Sequence, residues 1–319
     1  MSDDYLHIHG ERLAPGERAV IKLRIGRLPS GNRIDIQGHV FRAEEPGPIL
    51  LFTGGIHGDE INGIEIMRRA LAGGLFDHLS RGSVIAIPLL NVYGFINFSR
   101  DVPDGKDVNR SFPGNASGSL AARVARALTK EVLPLIEAGM DFHTGGRNHY
   151  NYPQLRYTRK DAACRALAER VGAPLLIGSR LLKGSLRHTA HKMGKHILVF
   201  EGGENQRLDG LAIAHGLEAM KRLLKSYDML DEAVPVAPAP AARLFEHTSW
   251  QRARVPGIFE WTKCSGQPVV KDEPLGFIRQ PDGSKEQCVH SRYNGWIIGH
   301  NNSPVVNAGD ALFHIGILS

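Results

Sequence analysis

The sequence predicts an α/β fold, a mostly parallel sheet flanked by helices, with a small all-β region after it. Three observations carry this. Short unbroken apolar runs alternate with segments of helical spacing between residues 49 and 227, two period-two segments precede them, and a proline- and alanine-rich tract separates them from glycine-punctuated short strands.

In chain order, residues 19–25 (AVIKLRI) and 33–42 (RIDIQGHVFR) alternate apolar and polar about the turn cluster Pro29-Ser30-Gly31-Asn32, which predicts an antiparallel pair. Ile49–Phe52 and Val84–Ile87 are continuous apolar runs, as in strands buried on both faces, and Glu60–Leu71 between them has helical spacing. Ser119 opens a helix running through Glu137, a strand ends near Asp141, and Asp161 caps a helix that stops at Gly172. HILVF at 196–200 is a further buried strand, and a last helix runs from about Asp209 to Tyr227. The tract DEAVPVAPAPAA (231–242) is an extended spacer. It divides a domain at 1–230 from a small β-sandwich or barrel at 243–319, whose strands are GIFEW, LGFIR, GWIIG and ALFHIG.

The 319 residues are 42% hydrophobic and 23% charged, an ordinary globular balance. The net charge of +6 is scattered along the chain and forms no stripe, so it fits a basic surface and an anionic small substrate and gives no footprint for nucleic acid. Three widely spaced cysteines do not make a disulfide framework, no signal-peptide core opens the chain, and no apolar run is long enough to span a membrane. A cytoplasmic protein is expected, without membrane or nucleic-acid partners. A homo-oligomer is compatible with the sequence, which does not specify one.

Chemistry concentrates at predicted strand ends. His57 and Glu60, in GGIHGDE, follow the strand ILLF directly, at the carboxyl edge where open α/β sheets bind ligands. Their spacing alone is weak evidence, because a chain with 15 histidines holds about one His-x-x-Glu by chance. His215 and Glu218 repeat it inside a helix, with no strand or glycine turn before them, and read as a surface pair. His143, in MDFHTGG, occupies another strand end and can return to the edge that carries His57. Two histidines and a glutamate are the ligand set of a catalytic zinc, one ion per chain, with a coordination position left for water. Asp141, two residues before His143, lies on its side of the strand and can fix its tautomer. Glu201, ending HILVF, is the candidate general base, with Glu204 its competitor beyond two glycines. Asn109 and Arg110, in GKDVNRSFPG, suit a substrate carboxylate.

Together these segments resemble the succinylglutamate desuccinylase and aspartoacylase family, relatives of the zinc carboxypeptidases. GGIHGDE matches the family's first metal motif, VNRSFPG its Asn-Arg substrate motif, DFHTGG its third-ligand motif and FEGG its catalytic-glutamate motif, in the family's order. The resemblance implies a zinc-carboxypeptidase-like mixed sheet with a small C-terminal β-domain. It also implies zinc on His57, Glu60 and His143, Glu201 as base, and Asn109 with Arg110 on a substrate carboxylate. A further family arginine that polarises the scissile carbonyl has Val102 or Pro103 at its spacing here, with Arg100 nearby, and that role stays open. The function expected is deacylation of a small N-acylated, carboxylate-bearing compound. The alternatives are a carboxypeptidase acting on peptide C-termini and a non-catalytic carrier module presenting Lys285.

Overall fold

The computed structural model describes residues 5–27 and 31–318. A short hairpin of β1 (Leu6–Ile8) and β2 (Glu11–Leu13) leads into β3 (Arg18–Arg27) and β4 (Arg33–Arg42), which pair antiparallel as their alternation predicts. Pro29 and Ser30 of the expected turn lie outside the described residues. Then follow β5 (Glu45–Gly54), α1 (Ile61–Ala72), β6 (Arg81–Ile87), α2 (Val92–Ile96), α3 (Leu120–Glu131), β7 (Ala138–Gly145), β8 (His149–Thr158), α4 (Ala162–Val171), β9 (Leu175–Ser179), α5 (Leu186–Lys192), β10 (His196–Glu204) and α6 (Gly210–Lys225). Asp161, Ser185 and Asp209 each cap a helix through the side chain, a contribution of about 1 kcal/mol apiece.

β6, β5, β7 and β10 run parallel in the middle of the main sheet, with antiparallel β4 and β3 at one side and antiparallel β8 at the other. Both faces are covered, and strand alternation divides the core in two. Leu50, Phe52, Phe142 and Phe200 pack with α1, α4 and α6, whereas Leu51 and Ile197 pack with α3 and α5. By that parity Thr53, Asp141, His143 and Glu201 all lie on the α3/α5 face, near the carboxyl ends of adjacent strands.

Two expectations are corrected. The helix opened by Ser119 ends at Glu131 and not at Glu137, because Pro134 has no N–H to donate and disfavours helical geometry before it. The strand expected to end near Asp141 continues to Gly145, so His143 stands on the strand itself.

Residues 231–242 run without helix or strand, and Val234 and Val236 pack on the first core. Beyond them lie β11 (Arg243–Phe245), β12 (Thr248–Arg252), β13 (Gly257–Trp261), β14 (Pro268–Val269), β15 (Pro274–Arg279), β16 (Glu286–His290), β17 (Gly295–Asn301), β18 (Val305–Val306) and β19 (Ala311–Ile317). They build a separate hydrophobic cluster around Phe259, Leu275 and Phe313. This region is joined to the main sheet by backbone pairing: β17 lies antiparallel to β8, with Gly299 opposite Asn151, and β19 and β12 extend the sheet further.

Candidate active site

The loop after β5 turns sharply at Gly55, whose φ of 60° places it in the left-handed region. Gly58 then passes so close to α2 that an added Cβ would lie 2.0 Å from the Gly94 carbonyl carbon. Between these two glycines the loop turns His57 inward.

His57, Glu60 and His143 converge as their motifs predict, with ligand atoms within 4.8 Å of one another. Glu60 is the hub. Its Oε1 lies 2.8 Å from Nδ1 of His57 and its Oε2 lies 2.9 Å from Nδ1 of His143. The outer nitrogen of each ring is held by an aspartate: Nε2 of His143 is 2.8 Å from Asp141, and Nε2 of His57 is 3.3 Å from Asp107. Asp141 is itself fixed by the Thr53 hydroxyl at 2.8 Å, and Asp107 accepts from the Asn109 N–H at 2.7 Å. Both Nδ1 atoms therefore face one carboxylate while both Nε2 atoms are anchored, the second layer that orients metal-bound imidazoles. Two nitrogens and a carboxylate at this spacing fit a borderline divalent cation such as zinc.

The three side chains are almost completely buried. Burial alone would raise the Glu60 pKa, but His57 and His143 hold it well below the ordinary carboxylate range. Burial also opposes charge on the rings, yet Asp141 and Glu60 lift His143 well above its usual value, and Glu60 with Asp107 lifts His57. Without a cation, protons on the imidazoles balance the buried carboxylates. A cation takes their place by releasing them, so affinity falls as pH falls.

Glu201 stands beside this cluster. It pairs in register with His143 across β7 and β10 and with Gln154 across β10 and β8. Its Oε2 accepts from Asn151 Nδ2 and lies 3.0 Å from Arg156 Nη2. Glu204 does not line the cavity; its Oε2 accepts from Asn302 at 2.7 Å and ties β10 to the C-terminal region. Between the two glutamates, the geometry brings Glu201 to the cluster and directs Glu204 elsewhere.

Arg100 donates to Asp107 at 2.9 and 3.1 Å and to Glu60 at 3.1 Å, so three of its N–H groups are engaged by the carboxylates around the cluster. Asn109 accepts from the Leu186 N–H at 2.9 Å, which joins its loop to the start of α5. Arg110 lines the same cavity from a more exposed position. His215 and Glu218 bring no site together: they lie on α6, and Glu218 pairs with Lys221 at 2.7 Å.

The expected site residues other than the α6 pair and Glu204 border one cavity of about 610 Å³, which Arg156 and Arg187 also line. Among the described residues Nη1 of Arg187 and Nε of Arg156 are shielded from solvent and make no hydrogen bond, so both guanidinium groups are only partly satisfied. Burial and the neighbouring Arg156 push the Arg187 pKa down to about 10, the signature of a guanidinium short of a counter-charge. Trp250, Arg252 and Ala311 line the cavity from the C-terminal region. Asp107, Arg156, Arg187 and Trp250 are site residues that motif reading passed over. A signal existed for Arg156, a lone charge in the otherwise buried second half of β8.

Comparison with known proteins agrees with this geometry. Residues 46–227 match the model of the succinylglutamate desuccinylase/aspartoacylase catalytic domain. The chain is 29% identical over 280 residues to the N-alpha-acetyl-L-2,4-diaminobutyric acid deacetylase of Halomonas elongata, covering 83% of this chain and 81% of the relative. A succinylglutamate desuccinylase/aspartoacylase structure from Rhodobacter sphaeroides superposes with a TM-score of 0.84 at 25% identity, covering 93% of this chain and 94% of that one. The product-bound ectoine utilization protein of Ruegeria pomeroyi shares the fold along the full length of both chains, with a TM-score of 0.84 at 21% identity.

Proposed function

Because the chain belongs to the succinylglutamate desuccinylase/aspartoacylase family of deacylases, we propose that it is a zinc-dependent amidohydrolase removing the acyl group from a small N-acyl amino acid. The observation that carries this reading is the pair of imidazoles turned by Asp107 and Asp141 onto the two oxygens of Glu60. His57, Glu60 and His143 would hold one zinc ion. When bound, the ion supplies Lewis acidity at the scissile carbonyl and lowers the pKa of water toward neutrality.

The chain's own residues do the rest. Glu201, steadied by Asn151 and Arg156, takes a proton from the attacking water and delivers it to the departing amine nitrogen. Arg100, fixed by Asp107 and Glu60, keeps positive charge beside the developing oxyanion. Asn109, Arg110 and Arg187, all lining the cavity, orient the substrate through its carboxylate, for which a guanidinium fork is suited. No side-chain nucleophile is required, so Ser111 and the cysteines take no part in the chemistry.

The walls favour this reading over a carboxypeptidase. The cavity of about 610 Å³, with Trp250 and Arg252 among its lining, has the volume of a small-ligand pocket. The carrier reading leaves the whole site unexplained, and Lys285 lies in an exposed turn within the C-terminal region. The three free cysteines accord with a reducing, cytoplasmic setting. No helix of the described residues is long and apolar enough to cross a membrane.

The experiment is a screen of metal-loaded protein against N-acetyl, N-formyl and N-succinyl amino acids and related diamines, read as release of free amine. Turnover of at least one member is expected. Inertness toward the whole panel, with cleavage of peptide C-termini, would replace the deacylase reading by the carboxypeptidase one.

A further inference from the structure

A second set of donors converges at the opposite end of β10 from Glu201. Asp161, Cys164 and His196 each bring one ligand atom to a cluster whose members lie within 4.8 Å of one another. We propose that these three side chains hold a structural zinc-class cation, and that His191, whose Nδ1 lies 3.4 Å from Asp161 but outside the spacing shared by the other three, swings in as the fourth ligand and ties α5 to α4 and β10.

The residue types and their spacing suit the task. Asp161-x2-Cys164 opens α4, while His191 in the last turn of α5 and His196 at the first residue of β10 are separated by four residues. Structural zinc sites are closed, four-coordinate and commonly built from two such short pairs, and zinc accepts thiolate, imidazole and carboxylate donors alike.

The distances match the edges of a coordination tetrahedron. Oδ2 of Asp161 stands 3.3 Å from Nδ1 of His196 and 3.4 Å from Nδ1 of His191. A tetrahedron with zinc-to-nitrogen and zinc-to-oxygen bonds of about 2.0–2.1 Å has edges of roughly 3.3–3.4 Å. Nδ1 of His196 is moreover shielded from solvent and makes no hydrogen bond among the described residues, although it lies 3.3 Å from this carboxylate. The two oxygens of Asp161 divide their work: Oδ1 accepts the Cys164 N–H at 2.9 Å and caps the helix, which leaves Oδ2 to the rings. Cys164 is only 1% exposed, so its sulfur meets the cluster from the protein side. Binding exchanges the thiol proton for the cation and releases it to solvent. One carboxylate and one thiolate then neutralise a doubly charged ion.

Such an ion would brace the catalytic cavity from behind. His191 lies four residues after Arg187 on α5, and therefore on the same helix face, and β10 carries His196 at its start and Glu201 roughly 16 Å along the strand. The inference does not depend on the deacylase reading.

The test is a titration of chelator-stripped, reduced full-length protein with Co²⁺, followed by absorption spectroscopy. A thiolate-to-cobalt charge-transfer band in the near ultraviolet is expected, complete once both candidate sites are filled, by two equivalents; His57, Glu60 and His143 contain no sulfur and cannot produce it. The band should vanish in Cys164→Ser, weaken in His196→Ala and persist in His143→Ala. Wild-type protein without the band, or a band that disappears in Cys264→Ser or Cys288→Ser instead, overturns the proposal. The wild-type spectrum decides the matter even if a substitution at the buried Cys164 prevents folding.

Discussion

His143 and Glu201 stand opposite each other in register on the parallel strands β7 and β10, with side chains on one face of the sheet. Asp141 backs the imidazole at 2.8 Å, while Asn151 and Arg156 hold the carboxylate. A candidate metal ligand and a candidate base are thus positioned by strand pairing, which leaves little freedom in their separation.

Replacing Glu201 by Gln removes the proton acceptor and keeps the side-chain volume. The turnover number should fall by about 10²–10⁴-fold while metal content stays unchanged. Steady-state kinetics beside metal analysis checks this, and a near-normal rate removes Glu201 from the mechanism.

Asp107→Asn and Asp141→Asn should each weaken metal affinity by about 10–100-fold, because the partner that orients a liganding ring loses its charge. Competition against a calibrated chelator measures the effect. Affinities equal to wild type in both variants would make the two aspartates bystanders.

Arg187→Met removes a cavity-lining guanidinium whose Nη1 makes no hydrogen bond among the described residues. A charge-assisted hydrogen bond contributes about 1.5–3 kcal/mol, so KM for a carboxylate-bearing substrate should rise roughly tenfold to a hundredfold. The same substrate with its carboxylate converted to an amide should be little affected by the substitution. Equal losses for both would assign Arg187 to folding instead of recognition.

Two histidines of the C-terminal region predict acid sensitivity. Burial pushes His300 down to about 4 and His314 down to about 3. His300 Nδ1 accepts from the Ser265 N–H at 3.1 Å, and His314 stacks on Trp250 with centroids 4.4 Å apart. Both are neutral in the fold. Below the unfolded pKa of about 6.5 the unfolded chain binds protons that the fold does not, so stability declines as pH falls from 6.5 toward 4. Each pKa unit corresponds to about 1.4 kcal/mol. Trp250 next to His314, and Trp261 at 4.7 Å from His300, serve as reporters. Their fluorescence transition in denaturant should move to lower concentration across that interval, and His314→Phe should flatten the change. A midpoint constant from pH 7 to pH 4 contradicts this assignment.

Much of this was legible in the chain, for physical reasons. A strand buried on both faces must be continuously apolar, so ILLF and HILVF announced the parallel sheet, and polar residues at their ends marked its reactive edge. Asp107 was hidden because its role arises from a loop that folds back onto His57 from fifty residues away. Arg187 and Trp250 reach the cavity only through the packing of α5 and the pairing of β17 with β8, contacts that no local pattern encodes. Helix ends were legible where a side chain caps, as at Asp161, and misread where proline acts three residues beyond the last helical residue, as at Pro134.

The central claim is that His57, Glu60 and His143 together hold one catalytic cation. Anomalous diffraction at the zinc edge from crystals of zinc-loaded protein tests it most directly. The account predicts a strong peak bounded by Nδ1 of His57, the Glu60 carboxylate and Nδ1 of His143, with Glu201 beside it. A fully loaded crystal with no density there, and the imidazoles still bonded to Glu60, would contradict it.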